Sequence, residues 1–166
     1  MRRDQITAAY VRGSLQYDQE TGVLTWSKDQ GRARAGDVAG GVRSTDGYIT
    51  IGLYGNKFLG HRLAYAIVNG EWPNFDIDHI NGQRSDNRWS NLRAATRSEN
   101  NQNIRGARPG NKTGLLGVHQ AGRKFRASIK LAGVRTDLGM FDTAEAAHRA
   151  YINKKGELHP FFVKEL

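Results

Sequence analysis

The chain has no cysteine and only three prolines in 166 residues. Without thiols there is no disulfide and no thiolate zinc site, which fits a cytosolic protein. No apolar run reaches the roughly 18 residues of a membrane span, so no membrane association is expected. The first residues, MRRDQITAAYVRGSL, carry two early arginines but lack the apolar stretch of a secretory signal. Scarce proline against 20 glycines suits hairpins and tight turns better than a long helical bundle. Hydrophobic residues make up 38% of the chain, enough for small cores and for one ordinary domain or two small ones.

Acidic residues are also few: 16 against 25 Lys and Arg, a net charge of +9. The excess is uneven. Residues 1–100 hold 13 basic against 11 acidic side chains, whereas residues 101–166 hold 12 against 5. Such a balance favours a polyanion, and it places the first search for a phosphate-binding surface in the C-terminal third.

Three blocks follow along the chain. In residues 1–72, Leu15-Gln16-Tyr17 and Val23-Leu24-Thr25-Trp26 flank the turn-rich Asp18–Gly22 and predict a hairpin. Residues 28–47 are Gly-rich and charged, and read as loop. Tyr48 to Leu53 alternates, Gly55-Asn56 turns the chain, and Lys57-Phe58-Leu59 returns as a second hairpin. His61 to Asn69 then reads as a short helix closed by Gly70. Residues 73–103 hold seven asparagines, a density that is costly to bury. It suits either a hydrated metal or phosphate site or a plain polar loop. Ile104 to Lys112 reads as a linker between a unit at 1–103 and a second unit at 113–166.

The middle block carries the chemistry. Phe75 to Ile80 alternates as a strand, and Asn81-Gly82 is a turn signal. The chain loops through Ser85–Arg88 and returns by Asn91-Leu92-Arg93. Thr96 and Glu99 have capping-box spacing, so a helix is expected from Thr96, with Asn100 in its first turns and Asn103 on the same face. A carboxylate and an amide oxygen there can hold one hard cation that keeps its remaining positions for water and phosphate. Neighbouring strand residues point to opposite faces, so Asp78 and His79 converge only if the strand twists or ends there. A strand end would free His79 to act as general base on water. A lone Asp-His pair is usually structural; it is the full spaced set that points to phosphodiester hydrolysis.

With these residues in place, the segment resembles the HNH, or ββα-metal, endonucleases of the phage and homing type. The carrying residues are Asp78-His79, Asn91 and Asn100, with Asp86-Asn87-Arg88 and Asn91-Leu92-Arg93 in register and His61-Arg62-Leu63-Ala64 preceding. The resemblance implies a metal-dependent DNA endonuclease. His79 would be the base. Asp78 and Asn100 would hold one divalent metal, Mg²⁺ or Mn²⁺. Asn91 would orient the His79 ring or brace the loop. The last letter of the motif is Asn100 rather than histidine. Arg62, Arg88 and Arg93 are candidates for phosphate contact or for pairing with Asp76 or Asp86. His61, Trp72 and Trp89 read as packing residues.

In the third block, Lys124, Arg126, Ser128 and Lys130 share one strand face, and Phe125, Ala127, Ile129 and Leu131 share the other. Leu115–His119 is expected as the preceding strand and Ala132-Gly133 as the following turn. Val134–Phe141 comes next, with Arg135 and Asp137 on one side and Leu138 and Met140 on the other. Thr143 caps a helix whose Ala144, Ala147, His148 and Tyr151 form a stripe and which Gly156 ends. A basic face left free can be a solvated surface, or it can enter the major groove of double-stranded DNA. The block also resembles the plant-type Apetala-two/ethylene-response-factor DNA-binding domain, through Gly117-Val118, Lys124-Phe125-Arg126-Ala127, Leu138–Ala147 and Ala150-Tyr151. That resemblance implies DNA contacts at Arg123, Lys124, Arg126, Lys130 and Arg135. The expected fold is therefore α+β: hairpins and a short helix, a ββα-metal module, then a three-stranded antiparallel sheet on one helix. A non-catalytic DNA-binding regulator is the alternative, and an RNA-binding protein a third. Oligomeric state is left open.

Overall fold

The computed structural model describes residues 2–104, 106–107, 110–131 and 133–162. Among the described residues it is α+β, with four α-helices and four small antiparallel sheets. The chain divides into two compact units, Met1–Arg97 and Ser98–Leu166. The expected boundary after residue 103 and the linker 104–112 thus fall inside the second unit, and Arg105, Arg108 and Pro109 of that linker lie outside the described residues.

After a single 3-10 turn at Arg3–Gln5, the first unit has a helix the sequence did not announce, α1 (Ala8–Arg12). Five residues cannot hold a helix by local hydrogen bonds alone. Tertiary contacts secure it: Val11 is fully buried, and Arg12 donates from Nε to the Ile67 carbonyl (2.7 Å) and from Nη2 to that of Val68 (3.2 Å). The first hairpin forms where expected, from β1 (Leu15–Tyr17) and β2 (Leu24–Trp26). Asp18 Oδ1 accepts from the amides of Glu20 and Thr21 in the connection. The 28–47 loop is interrupted by β3 (Gly41–Val42), which pairs with β4 (Ile49–Leu53). The second hairpin joins β4 to β5 (Asn56–Leu59). Its turn sits one residue earlier than expected, at Tyr54 and Gly55, both with positive φ, as a tight two-residue hairpin turn needs. α2 (Gly60–Asn69) follows and ends on Gly70 in the left-handed conformation. Ile6, Leu15, Leu24, Ile51, Leu53, Phe58 and Leu63 form the core, and Trp72 stacks on Phe58 with Nε1 bonded to the Ile6 carbonyl.

β6 (Asp76–His79) and β7 (Leu92–Ala95) pair antiparallel, with Asp78 opposite Arg93 and His79 opposite Leu92. α3 (Arg97–Gln102) follows directly, starting at Arg97 rather than Thr96.

In the second unit, β8 (Val118–Ala121), β9 (Lys124–Leu131) and β10 (Val134–Phe141) form a meander, and α4 (Ala144–Leu158) packs against the sheet. Three expectations need correction. The first strand starts at Val118 and runs to Ala121, because the positive φ of Gly117 breaks the extended chain before it. α4 continues through Gly156 to Leu158. A helical glycine costs only about 1 kcal/mol relative to alanine, and the continued turn gains a Lys154–Glu157 ion pair and a bond from the His159 amide to the Lys155 carbonyl. Met140 does not share the side of Leu138. A bulge after Asp137 skips Leu138 in the pairing and sets Met140 opposite Arg126, on the outer face. The expected Ala132-Gly133 turn includes Ala132, which lies outside the described residues. The inner face holds Val118, Ala127, Ile129 and Phe125 against Ala147 and Tyr151, and Thr143 caps α4 by accepting from the Ala146 amide.

Candidate functional site

The site residues of the first unit gather where β6 ends. Asp78 and His79 are both buried, at 5% and 3% exposure. They face different partners, as adjacent strand residues do. Asp78 Oδ2 accepts from Arg93 Nε (2.9 Å) and Nη2 (2.7 Å), a cross-strand ion pair in which both donors meet one oxygen. The His79 ring lies 5.0 Å from that of His61, edge to face, and 5.8 Å from that of Tyr48. Its Nε2 is 3.1 Å from Asn87 Oδ1.

Burial here favours the uncharged form of both imidazoles. Burial, with His79 and Arg62 nearby, lowers the His61 pKa to about 3. Burial also lowers that of His79, against smaller opposing effects from the Asn87 hydrogen bond and the charges of Asp78 and Asp86. A neutral histidine at physiological pH has a lone pair with which to take a proton.

The asparagine-rich loop from Ile80 to Asn91 is held by its own amides. Asn91 Oδ1 accepts from the Asn81 amide (2.9 Å), and Asn91 Nδ2 donates to the Asp86 carbonyl (2.8 Å). Of the two roles offered for Asn91, these contacts are those of a loop brace. The side chain within hydrogen-bond distance of His79 Nε2 is Asn87, through its amide oxygen. Asn81 Nδ2 donates to Asp86 Oδ2 (2.7 Å), and Arg88 grips the same carboxylate at 2.6 Å, so hydrogen bonding, Arg88 first, draws the Asp86 pKa down to about 2.

The three arginines proposed near phosphate are all engaged. Arg88 pairs with Asp86, and Arg93 with Asp78, its cross-strand neighbour, rather than with Asp76 or Asp86. Arg62 pairs with neither acid and donates to the carbonyls of Phe75 and Pro73. Asn100 lies in α3, in the second unit, whereas Asp78 and His79 lie in the first.

The second unit carries the basic face. Register places His119, Arg126 and Met140 side by side on its outer surface, and Lys130 directly opposite Arg135. Arg126 pairs with Asp137 and Lys124 with Asp142, all exposed. Arg123 sits in the β8–β9 turn. Lys155 is 1% exposed; its Nζ donates to the Ile104 carbonyl and lies 4.3 Å from the centre of the Phe162 ring.

Sequence reasoning missed Asn87 and Tyr48 as neighbours of His79. Asn87 was visible only as the middle of Asp86-Asn87-Arg88, and nothing in the spacing aims it at the ring.

The paired strands β6 and β7 thus carry a buried histidine at the end of β6. Residues 58–102, from β5 to the end of α3, match the family model described as HNH endonuclease. That match supports a nuclease role for the segment, and with it a nucleic-acid substrate. No curated protein and no solved structure matches the chain significantly. Among the described residues no helix is long and apolar enough to cross a membrane.

Proposed function

We propose that the protein is a metal-dependent DNA endonuclease of the homing type, with a catalytic module over residues 1–103 and a DNA-reading module over 113–166 that resembles the ethylene-response-factor domain. The observation that carries this reading is the buried His79 at the end of β6, its Nε2 within hydrogen-bond distance of Asn87, inside the segment matched as HNH endonuclease.

In this reading His79 takes a proton from water, the water oxygen bonds to phosphorus, one P–O ester bond breaks, and the leaving oxygen is protonated from solvent. The donors proposed for the metal are hard oxygens, the Asp78 carboxylate and the Asn100 amide. No group of three His, Cys, Asp or Glu that could hold an ion is formed among the described residues. That sparse set fits a cation such as Mg²⁺, which keeps several water or phosphate ligands. When bound, the metal would stabilise charge on the phosphate and the leaving oxygen. Arg93 already neutralises Asp78, so metal loading competes with that pair.

Lys124, Arg126, Lys130 and Arg135 form the face proposed for double-stranded DNA, with Arg123 at its edge. Arg62, Arg88 and Arg93 are proposed phosphate contacts only after exchanging their present partners. The grip of Arg93 on Asp78 favours the second reading, a DNA-binding protein without catalysis.

A plasmid assay separates the two. Nicking with Mg²⁺ or Mn²⁺, its loss in EDTA, and its loss in His79→Ala are expected. Wild-type protein that leaves plasmids of varied sequence intact in either metal would refute the enzyme.

A further inference from the structure

We propose that Asn87 is the positioning residue of His79, fixing the ring in the tautomer that carries its proton on Nε2 and its lone pair on Nδ1. The inference rests on the nuclease reading above and names a part that neither the motif nor the family match assigns.

Three observations carry it. First, Asn87 Oδ1 lies 3.1 Å from His79 Nε2, with both side chains buried. An amide oxygen can only accept, so the ring must donate from Nε2. A neutral imidazole with its proton there presents a lone pair at Nδ1.

Second, the Asn87 amide is not held by a network of its own. Among the described residues its Nδ2 is buried without a hydrogen-bond partner. An asparagine at 1% exposure with half its amide unsatisfied calls for an explanation other than solubility or packing. Among the described residues the bond to His79 is the one its side chain makes.

Third, the surrounding fold is shaped to keep that amide in place. A Cβ on Gly60 would meet Asn87 Nδ2 at 2.6 Å, so α2 begins with the one residue that leaves room for it. A Cβ on Gly22 would meet the Asn87 carbonyl carbon at 2.5 Å. The Tyr17 hydroxyl donates to the Asn87 carbonyl at 2.6 Å, and the Trp89 amide donates to the Gln19 carbonyl at 2.9 Å. The first hairpin, outside the matched segment, thus clasps the backbone on which the orienting amide is carried.

The test combines ring-nitrogen NMR of the full chain with nicking kinetics. Wild type is expected to show His79 protonated on Nε2. Asn87→Ala should lose that single tautomer and lower kcat about 10- to 100-fold, the usual cost of losing a partner that orients a functional histidine, while KM changes less than about threefold. Asn87→Asp, which can only accept, should restore the Nε2–H tautomer and most of kcat. Gly60→Ala leaves Asn87 chemically intact yet displaces its amide, and should copy Asn87→Ala.

A wild-type ring protonated on Nδ1 overturns the proposal, as does an Asn87→Ala protein with unchanged tautomer and kcat. The wild-type spectrum decides the matter even if Asn87→Ala fails to fold. Wild-type protein that shows the expected tautomer but never nicks DNA would sink the nuclease reading, a result distinct from either of these.

Discussion

Acidification should loosen the first unit well before any carboxylate titrates, and His61 is the reason. In the unfolded chain this histidine takes up a proton near its ordinary pKa of 6.5, whereas in the fold burial holds it at about 3. Between those values the unfolded state binds more protons, so stability is full above the upper value and drains as pH falls toward the lower one. From about pH 7 to about pH 5.5 the loss from His61 alone is about 1.3 kcal/mol. His79 is shifted in the same direction and adds to it. For a unit of this size the fall in Tm is about 5–10 °C. The assay is convenient because Trp26, Trp72 and Trp89 are the chain's three tryptophans and all lie in the first unit. Tryptophan fluorescence melts at the two pH values, at fixed ionic strength, therefore report that unit. His61→Phe keeps an aromatic ring beside Tyr48 and His79 and should roughly halve the pH dependence. A Tm that is flat across this range, or a His61 ring titrating near 6.5 by NMR, would refute the reasoning.

Other outcomes follow from particular contacts. Arg93→Ala removes both guanidinium donors from the Asp78 carboxylate, which is 5% exposed, and should cost about 3 kcal/mol in the same melts, whereas Arg93→Lys should cost less. Gly117→Ala drives a Cβ to 2.0 Å from the Tyr151 ring at a backbone φ of +78°, and should destabilise the second unit by at least about 2 kcal/mol, read by hydrogen exchange of β8 and β9. Lys130→Gln with Arg135→Gln should lower DNA affinity and reduce the slope of log K against log salt by about 2 if both meet phosphate. An unchanged slope would remove them from the interface.

The sequence was most readable where local chemistry decides structure. Alternation marked β4 and β9, the Gly70 stop closed α2, and Thr143 announced the start of α4. It was least readable where distant atoms decide. α1 exists because Arg12 reaches the carbonyls of Ile67 and Val68, more than fifty residues away. The bulge beside Leu138 turned Met140 outward, and period-two counting has no means of seeing a skipped residue. In the site, Asp78 and His79 were legible as a pair at a strand end. Their partners were not, because Arg93 meets Asp78 through cross-strand register and Asn87 meets His79 through the folding of an irregular loop.

Gly22 and Gly60 have a consequence for how the protein tolerates change. Neither has a side chain to bring to a substrate, and neither carries a group that could do acid–base chemistry. Yet each works as the wall of a mould, and its emptiness is what the Asn87 loop is cast against. In a saturation mutagenesis screen selected on cleavage, these two positions should be as intolerant as the residues that carry the chemistry.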